Sequence, residues 1–281
     1  MQHKAIFTID VEDWFHAGVM QPYLKRQNGS PMHRLTDNLK WLSDFLAKHE
    51  GKATFFALSS LTPVVLRQLA SLAAQGHEIA SHGHTHTNLN QLSSAALQAE
   101  LLQSRSILEQ ATAAPVIGFR APNFSITDQA LELLQETGYA YDSSLNNVRL
   151  HKGYGRLQQH ALHPKPYLIR EGLWEMPLST YPLASWNLPV AGGAFLRHLP
   201  FALFQQAALK LASQGYYHFY LHPWEVDLAH PRVPGMRLLD QMRHYRNISK
   251  VPQRLDVLAQ KLVFGSISEE LSRQKVNQRP G

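Results

Sequence analysis

Three observations predict an α/β fold built on a parallel sheet. Short apolar runs alternate with amphipathic stretches along most of the chain, the pattern of repeated strand–helix units. Polar residues recur at the far ends of those runs: Asp10, Ser59, His82, Arg120, Asp142 and His222 each fall at or just past the C-terminal end of a predicted strand. No glycine-rich phosphate loop follows the first run, which counts against a nucleotide-binding open sheet. An open sheet gathers its chemistry near one switch point, whereas a closed barrel builds it around the whole rim, so the distribution favours a barrel.

The elements follow in order. Lys4–Asp10 reads as the first strand, and Leu35–His49 as a helix from the spacing of Leu39, Leu42, Phe45 and Leu46. Ala53–Ser59 is a second strand, and Pro63–Gln75 a helix stopped by Gly76. His77–Ser81 is a third strand, and Ser93–Ala111 a long helix with Ser93 or Ser94 as its cap. Val116–Arg120 is a fourth strand, Thr127–Glu136 a helix ending at Gly138, and Tyr139–Asp142 a short fifth strand. Residues 146–198 hold several Pro and Gly, with short runs at Tyr167–Arg170 and Leu173–Pro177, and read as an inserted hairpin region. Phe201–Ser213 is a helix, Tyr216–Leu221 an aromatic strand, and 236–263 helical. The polar tail 266–281 is expected to fray from 267 onward. Residues 1–265 are thus expected to form one domain.

At 281 residues the chain is long enough for a substantial core. It has no cysteine, which excludes disulfides, thiolate metal sites and thiol redox chemistry. A net charge of +6 favours anionic partners, such as a phosphate-linked substrate or an acidic membrane surface. No basic run carries interleaved aromatics of the nucleic-acid type. The N-terminus lacks the apolar segment of a signal peptide, and no apolar stretch is long enough to span a bilayer. The expectation is a cytoplasmic protein, with peripheral membrane contact open.

With 16 histidines, spacing must select the useful ones. His82 and His86 are four apart after a buried strand, and on a helical turn they face one metal ion, with His84 turned away. In Asp10-Val11-Glu12-Asp13 the alternate residues Asp10 and Glu12 share a strand face. One carboxylate suits a metal and the other a proton from water; the alternative is a polar strand end leading into a helix cap. Trp14 either walls this site or begins a hydrophobic plug. Arg120, before Pro122, is placed to hold a catalytic carboxylate by a charge-assisted bond, or to form a structural ion pair, and the amides after Pro122 suit an oxyanion. His222 can protonate a leaving amine, and Trp224 offers a flat wall for a sugar.

Taken in order, these segments resemble the polysaccharide deacetylase family, the NodB-homology fold also called carbohydrate esterase family four. The residues are the acidic cluster Asp10–Asp13, the His82/His86 pair, Arg120-Ala121-Pro122, Asp142 in Tyr141-Asp142-Ser143-Ser144, and Leu221-His222. Asp10-Val11-Glu12-Asp13-Trp14-Phe15-His16, Leu221-His222-Pro223-Trp224-Glu225 and Arg243-His244-Tyr245 are similar to the subgroup found with exopolysaccharide and exosortase gene clusters. The resemblance implies a distorted (β/α)7 NodB-type barrel with a C-terminal helical extension. It also implies hydrolysis of an acetyl group from an N-acetylated sugar with a divalent metal, zinc being the expected ion. His82, His86 and one carboxylate would hold the metal, Asp10 would act as base, Arg120 would orient Asp10, and His222 would act as acid. The backbone near Asn123 would help hold the oxyanion, and Asn123, Trp14, Trp224 and Asp142 would meet the substrate. Two departures stand out. A Val separates Asp10 from Glu12, making Glu12 the preferred ligand and Asp13 the alternative. Asn123 stands where an aromatic is common. An amidohydrolase opening a cyclic ureide or imide, and a silent glycan-binding protein, are the competing functions.

Overall fold

The structure, a computed structural model, describes residues 2–25, 31–145, 157, 163–183 and 186–277. Its strands are β1 (His3–Val11), β2 (Thr54–Ala57), β3 (Glu78–Ser81), β4 (Gly118–Phe119), β5 (Tyr141–Asp142), β6 (Tyr167–Arg170), β7 (Leu173–Glu175), β8 (Thr180–Leu183), β9 (Trp186–Pro189), β10 (His218–Leu221) and β11 (Leu262–Gly265). Seven of them run parallel in the order β10-β1-β2-β3-β4-β5-β7. The Ser179 amide donates to the His218 carbonyl at 3.3 Å, and the Ser179 hydroxyl accepts from the His218 amide at 2.8 Å. The chain leaving β7 thereby meets the free edge of β10, and the sheet curls into the expected barrel.

The helices are α1 (Gln21–Leu24), α2 (Leu35–Lys48), α3 (Pro63–Ala74), α4 (Ser94–Thr112), α5 (Asp128–Glu136), α6 (Gly193–His198), α7 (Phe201–Ser213), α8 (Leu238–Tyr245), α9 (Val251–Ala259) and α10 (Ile267–Asn277). Ser93 caps α4 and Thr127 caps α5, each hydroxyl accepting an amide of the first turn. Alternation along β1 separates two cores. Phe7, Ile9 and Val11 join Leu39, Leu42, Leu46, Phe55 and Leu69 in the layer between sheet and helices. Ile6 joins a second cluster with Phe56, Ala80, Tyr141, Trp174, Met176 and Tyr216 inside the barrel. Gly118 is required here, because a Cβ would lie 1.9 Å from Tyr141 Cζ.

Three expectations change. The region 146–198 does carry hairpins, β6–β7 and β8–β9, but it is not only an insertion: Leu173–Glu175 pairs in parallel with Tyr141–Asp142 as a strand of the barrel. Much of 146–162 lies outside the described residues. The stretch 236–263 is not continuously helical. Asn247 adopts a left-handed conformation (φ 57°) between α8 and α9, Pro252 stands in the first turn of α9, and Leu262–Gly265 pairs with β1. The tail from 267 is not frayed. Helix α10 packs Ile267 and Leu271 into the interior cluster, the Ile267 amide donates to Thr54 Oγ1, and the Ser268 amide donates to Glu78 Oε2. It closes the end of the barrel at which the strands begin, and each such buried side chain stabilises by about 1.5–3 kcal/mol.

Candidate active site

At the other end, where the strands finish, Glu12 Oε1 lies 2.8 Å from His82 Nε2 and 2.9 Å from His86 Nε2. His82 directly follows β3, but the residues after it form no helical turn. Gly83 (φ 85°) and His86 (φ 57°) take left-handed conformations, and this tight reversal, rather than a shared helix face, brings the two imidazoles together. Glu100 of α4 pins the reversal by accepting from the amides of His84 and Thr85 and from the Thr85 hydroxyl. His84 turns away, as expected, toward Ser59 Oγ at 2.7 Å. His82 Nδ1 donates to the Arg120 carbonyl at 2.8 Å, which orients the ring with Nε2 toward Glu12. Burial raises the Glu12 pKa, but His86, His82 and His222 outweigh it and hold the carboxyl well below its ordinary value.

Asp10 Oδ1 accepts from Arg120 Nη1 at 2.6 Å. Arg120 is wholly buried, so each of its five donors needs a partner. It has them: Nε to the Ser143 carbonyl, Nη1 to Asp10 and to Thr8 Oγ1, and Nη2 to Ser143 Oγ and to His218 Nε2. Its guanidinium lies 4.1 Å from the centre of the Phe56 ring. His218 donates through Nδ1 to the Pro177 carbonyl, and burial and Arg120 hold its pKa well below the ordinary value, so its Nε2 remains an acceptor.

His222 follows β10, with Nδ1 3.4 Å from Glu225 Oε2. The Glu225 carboxylate also accepts from the His222 amide and from Arg197 Nε at 2.9 Å. Gly193 is required for this approach, since a Cβ there would meet Glu225 Oε2 at 2.1 Å. Burial works against protonation of His222, but Glu225, Glu12 and Asp10 outweigh it and raise the pKa to about 9. Burial likewise opposes ionisation of Glu225, and Arg197 and His222 overcome it, lowering that pKa to about 2.

The structure therefore brings Asp10, Glu12, His82, His86, Arg120 and His222 to one rim. Other candidates sit elsewhere. Asp13 caps the 3-10 turn Trp14–His16 and accepts from the amides of Trp14 and Arg34, so it is engaged as a cap and not aimed at the imidazoles. Trp14 is buried with its indole N–H on the Met32 carbonyl, and Trp224 is buried against His222 and His244, so neither offers the exposed face a sugar needs. Asp142 lies inside, accepting from the amide and hydroxyl of Ser144, whose hydroxyl in turn accepts from the Ala121 amide; it braces the loop beneath the site. Asn123 does reach the surface, in a left-handed conformation (φ 51°), donating to Asn88 Oδ1. His218, Glu225 and Arg197 were not singled out from the sequence. For Glu225 the signal was its place three residues after His222; for Arg197 there was none.

Glu12, His82 and His86 present ligand atoms within 4.8 Å of one another, one anionic oxygen and two imidazole nitrogens. That donor set fits a divalent cation and leaves coordination positions open. Comparison with known proteins agrees in kind. Residues 29–141 match the polysaccharide deacetylase family, and residues 143–272 match a domain of unknown function, DUF3473. The chain is 24% identical over 147 residues to a peptidoglycan deacetylase of Helicobacter pylori, covering 52% of this chain and 45% of the relative. It is 31% identical over 98 residues to a chitooligosaccharide deacetylase of Sinorhizobium fredii, covering 34% and 46%. It thus spans less than half the length of these relatives. A structure described as a candidate polysaccharide deacetylase of Mycobacterium smegmatis superposes with a TM-score of 0.63 at 18% identity, over 100% of this chain and 95% of that one, and shares its fold.

Proposed function

We propose, on the premise that this chain belongs to the polysaccharide deacetylase family, that it is a metal-dependent N-deacetylase. Its substrates would be N-acetylated sugars of a bacterial polysaccharide or glycan precursor. The net charge of +6 supports a phosphate- or lipid-linked form of that substrate. Glu12, His82 and His86 would hold the cation, expected to be zinc. When bound, such a cation supplies Lewis acidity to the acetyl carbonyl and to water. Asp10, held at Oδ1 by Arg120, takes a proton from the attacking water at its other oxygen. Arg120 holds Asp10 in place. The Asn123 turn borders the substrate. His222, charged at neutral pH, donates its proton to the departing amine.

The observation that carries this reading is the convergence of Glu12, His82 and His86 beside a carboxylate clamped by a buried arginine. The test is acetate release from chito-oligomers, peptidoglycan fragments and lipid- or nucleotide-linked N-acetyl sugars, with and without chelator. Chelator-sensitive acetate release is expected. Ring opening of a cyclic ureide or imide without acetate would move the activity to another amide. Glycan binding with no turnover on any substrate would reject catalysis.

A further inference from the structure

We propose that α8 and the loop leading into it dock on the surface of an anionic lipid bilayer. Four large apolar side chains of this short stretch face solvent: Leu228 (72% exposed), Leu238 (72%), Leu239 (67%) and Met242 (43%). Leu238 and Met242 are four apart, so they share one side of the helix, with Leu239 beside them. They are not unplaced core residues. Beneath them, Val233, Met236, Tyr245 and Ile248 of the same stretch are buried in a cluster with Trp14, Tyr23 and Trp224, while α8 turns Asp240, His244 and Tyr245 inward.

The charge around the leucines has one sign. Between residues 228 and 250 the chain exposes Arg232, Arg237, Arg243, Arg246 and Lys250 and no acidic side chain. The one acid of the stretch, Asp240, is buried and accepts from the Tyr23 hydroxyl at 2.5 Å and Arg237 Nε at 2.8 Å. An apolar face ringed by guanidiniums complements anionic headgroups above acyl chains. A second copy of this chain would set one arginine ring against another, which disfavours a self-paired interface. The surface is rigidly tied to the site, since His244 of α8 stacks on Trp224 at 4.4 Å and Trp224 on His222 at 5.5 Å.

The proposal does not depend on the deacetylase reading. The test is co-sedimentation of the full chain with phosphatidylcholine vesicles with and without phosphatidylglycerol, alongside sedimentation velocity of the protein alone. Partition onto the anionic vesicles is expected, weakening as salt rises. Arg243→Gln and Arg246→Gln should each lower it about fivefold. Leu238→Ser with Leu239→Ser should lower it at least about tenfold. The leucine variant should melt like the parent protein and release acetate from a soluble substrate at the parent rate, which separates failure of this proposal from failure of the deacetylase reading. No partition at low salt, or partition indifferent to phosphatidylglycerol, would overturn it. So would a dimer of the parent protein that the leucine substitutions dissociate.

Discussion

Asp10 and Glu12 are two residues apart and carry the same functional group, yet their neighbours give them different work. Asp10 meets a guanidinium; Glu12 meets two imidazoles. Asp10→Asn should therefore lower kcat by about 10²–10⁴-fold, the usual contribution of a general base, while metal content by elemental analysis stays at the parent level. His82→Ala should lose the metal itself. Glu225→Gln removes the charge that raises His222 while keeping the side chain's size. The alkaline limb of kcat should then move down from about 9 toward the ordinary histidine value, a shift that nuclear magnetic resonance of the His222 ring would report independently. Glu225→Ala is a harsher change. It leaves Arg197 buried without its carboxylate, and urea titration should show a loss of about 3–5 kcal/mol. The site residues legible in the sequence were those whose polarity interrupts an apolar run, such as Asp10, His82, Arg120 and His222. Arg197 and His218 were not legible. One sits in a stretch without periodicity, and the other inside a strand where histidine reads as an ordinary core residue.

Among the elements, those set by long periodic patterns were readable: α2, α3, α4, α5 and α7 all lie within a residue or two of their expected bounds. The short strands β2, β3, β4, β5, β6 and β10 fall inside their expected runs, but the places of β7 and β11 were harder to read. A run as short as Leu173–Glu175 cannot show a period, and only its pairing with β5 makes it part of the barrel. The same holds for β11, which follows a helix so closely that the sequence reads on as one stretch. Packing inside the barrel yields sharp expectations at this scale. Gly118→Ala drives a methyl into Tyr141 and should destabilise by about 1–3 kcal/mol or more, read from the urea midpoint. Leu271→Ala should cost about 2–5 kcal/mol if α10 plugs the interior as described, and almost nothing if the helix is loosely attached.

For the molecule as a whole, two titrations bound the working range. In the proposed mechanism His222 can act as an acid only while protonated, so turnover should fall as pH rises through about 9. Glu225 has its pKa depressed in the folded state. The stability it contributes is complete above the ordinary glutamate value and is lost as pH falls toward about 2, which acid unfolding would show as a loss absent from Glu225→Gln. Barrel topology was foreseeable at this scale because chemistry-bearing residues ended so many different strands. The closing contact through Ser179 was not, because it consists of two hydrogen bonds between segments far apart in sequence.

Helix α10 imposes an order on biosynthesis. The candidate site draws on the ends of β1, β3, β4 and β10, all of which are made before residue 222, yet the base of the barrel stays uncovered until residues 267–271 emerge. During that interval Phe56, Tyr141 and Trp174 face water through an unsealed opening. A nascent chain stalled just after Gly265 should therefore be a target for holdase chaperones and proteases, and completing the helix should release it.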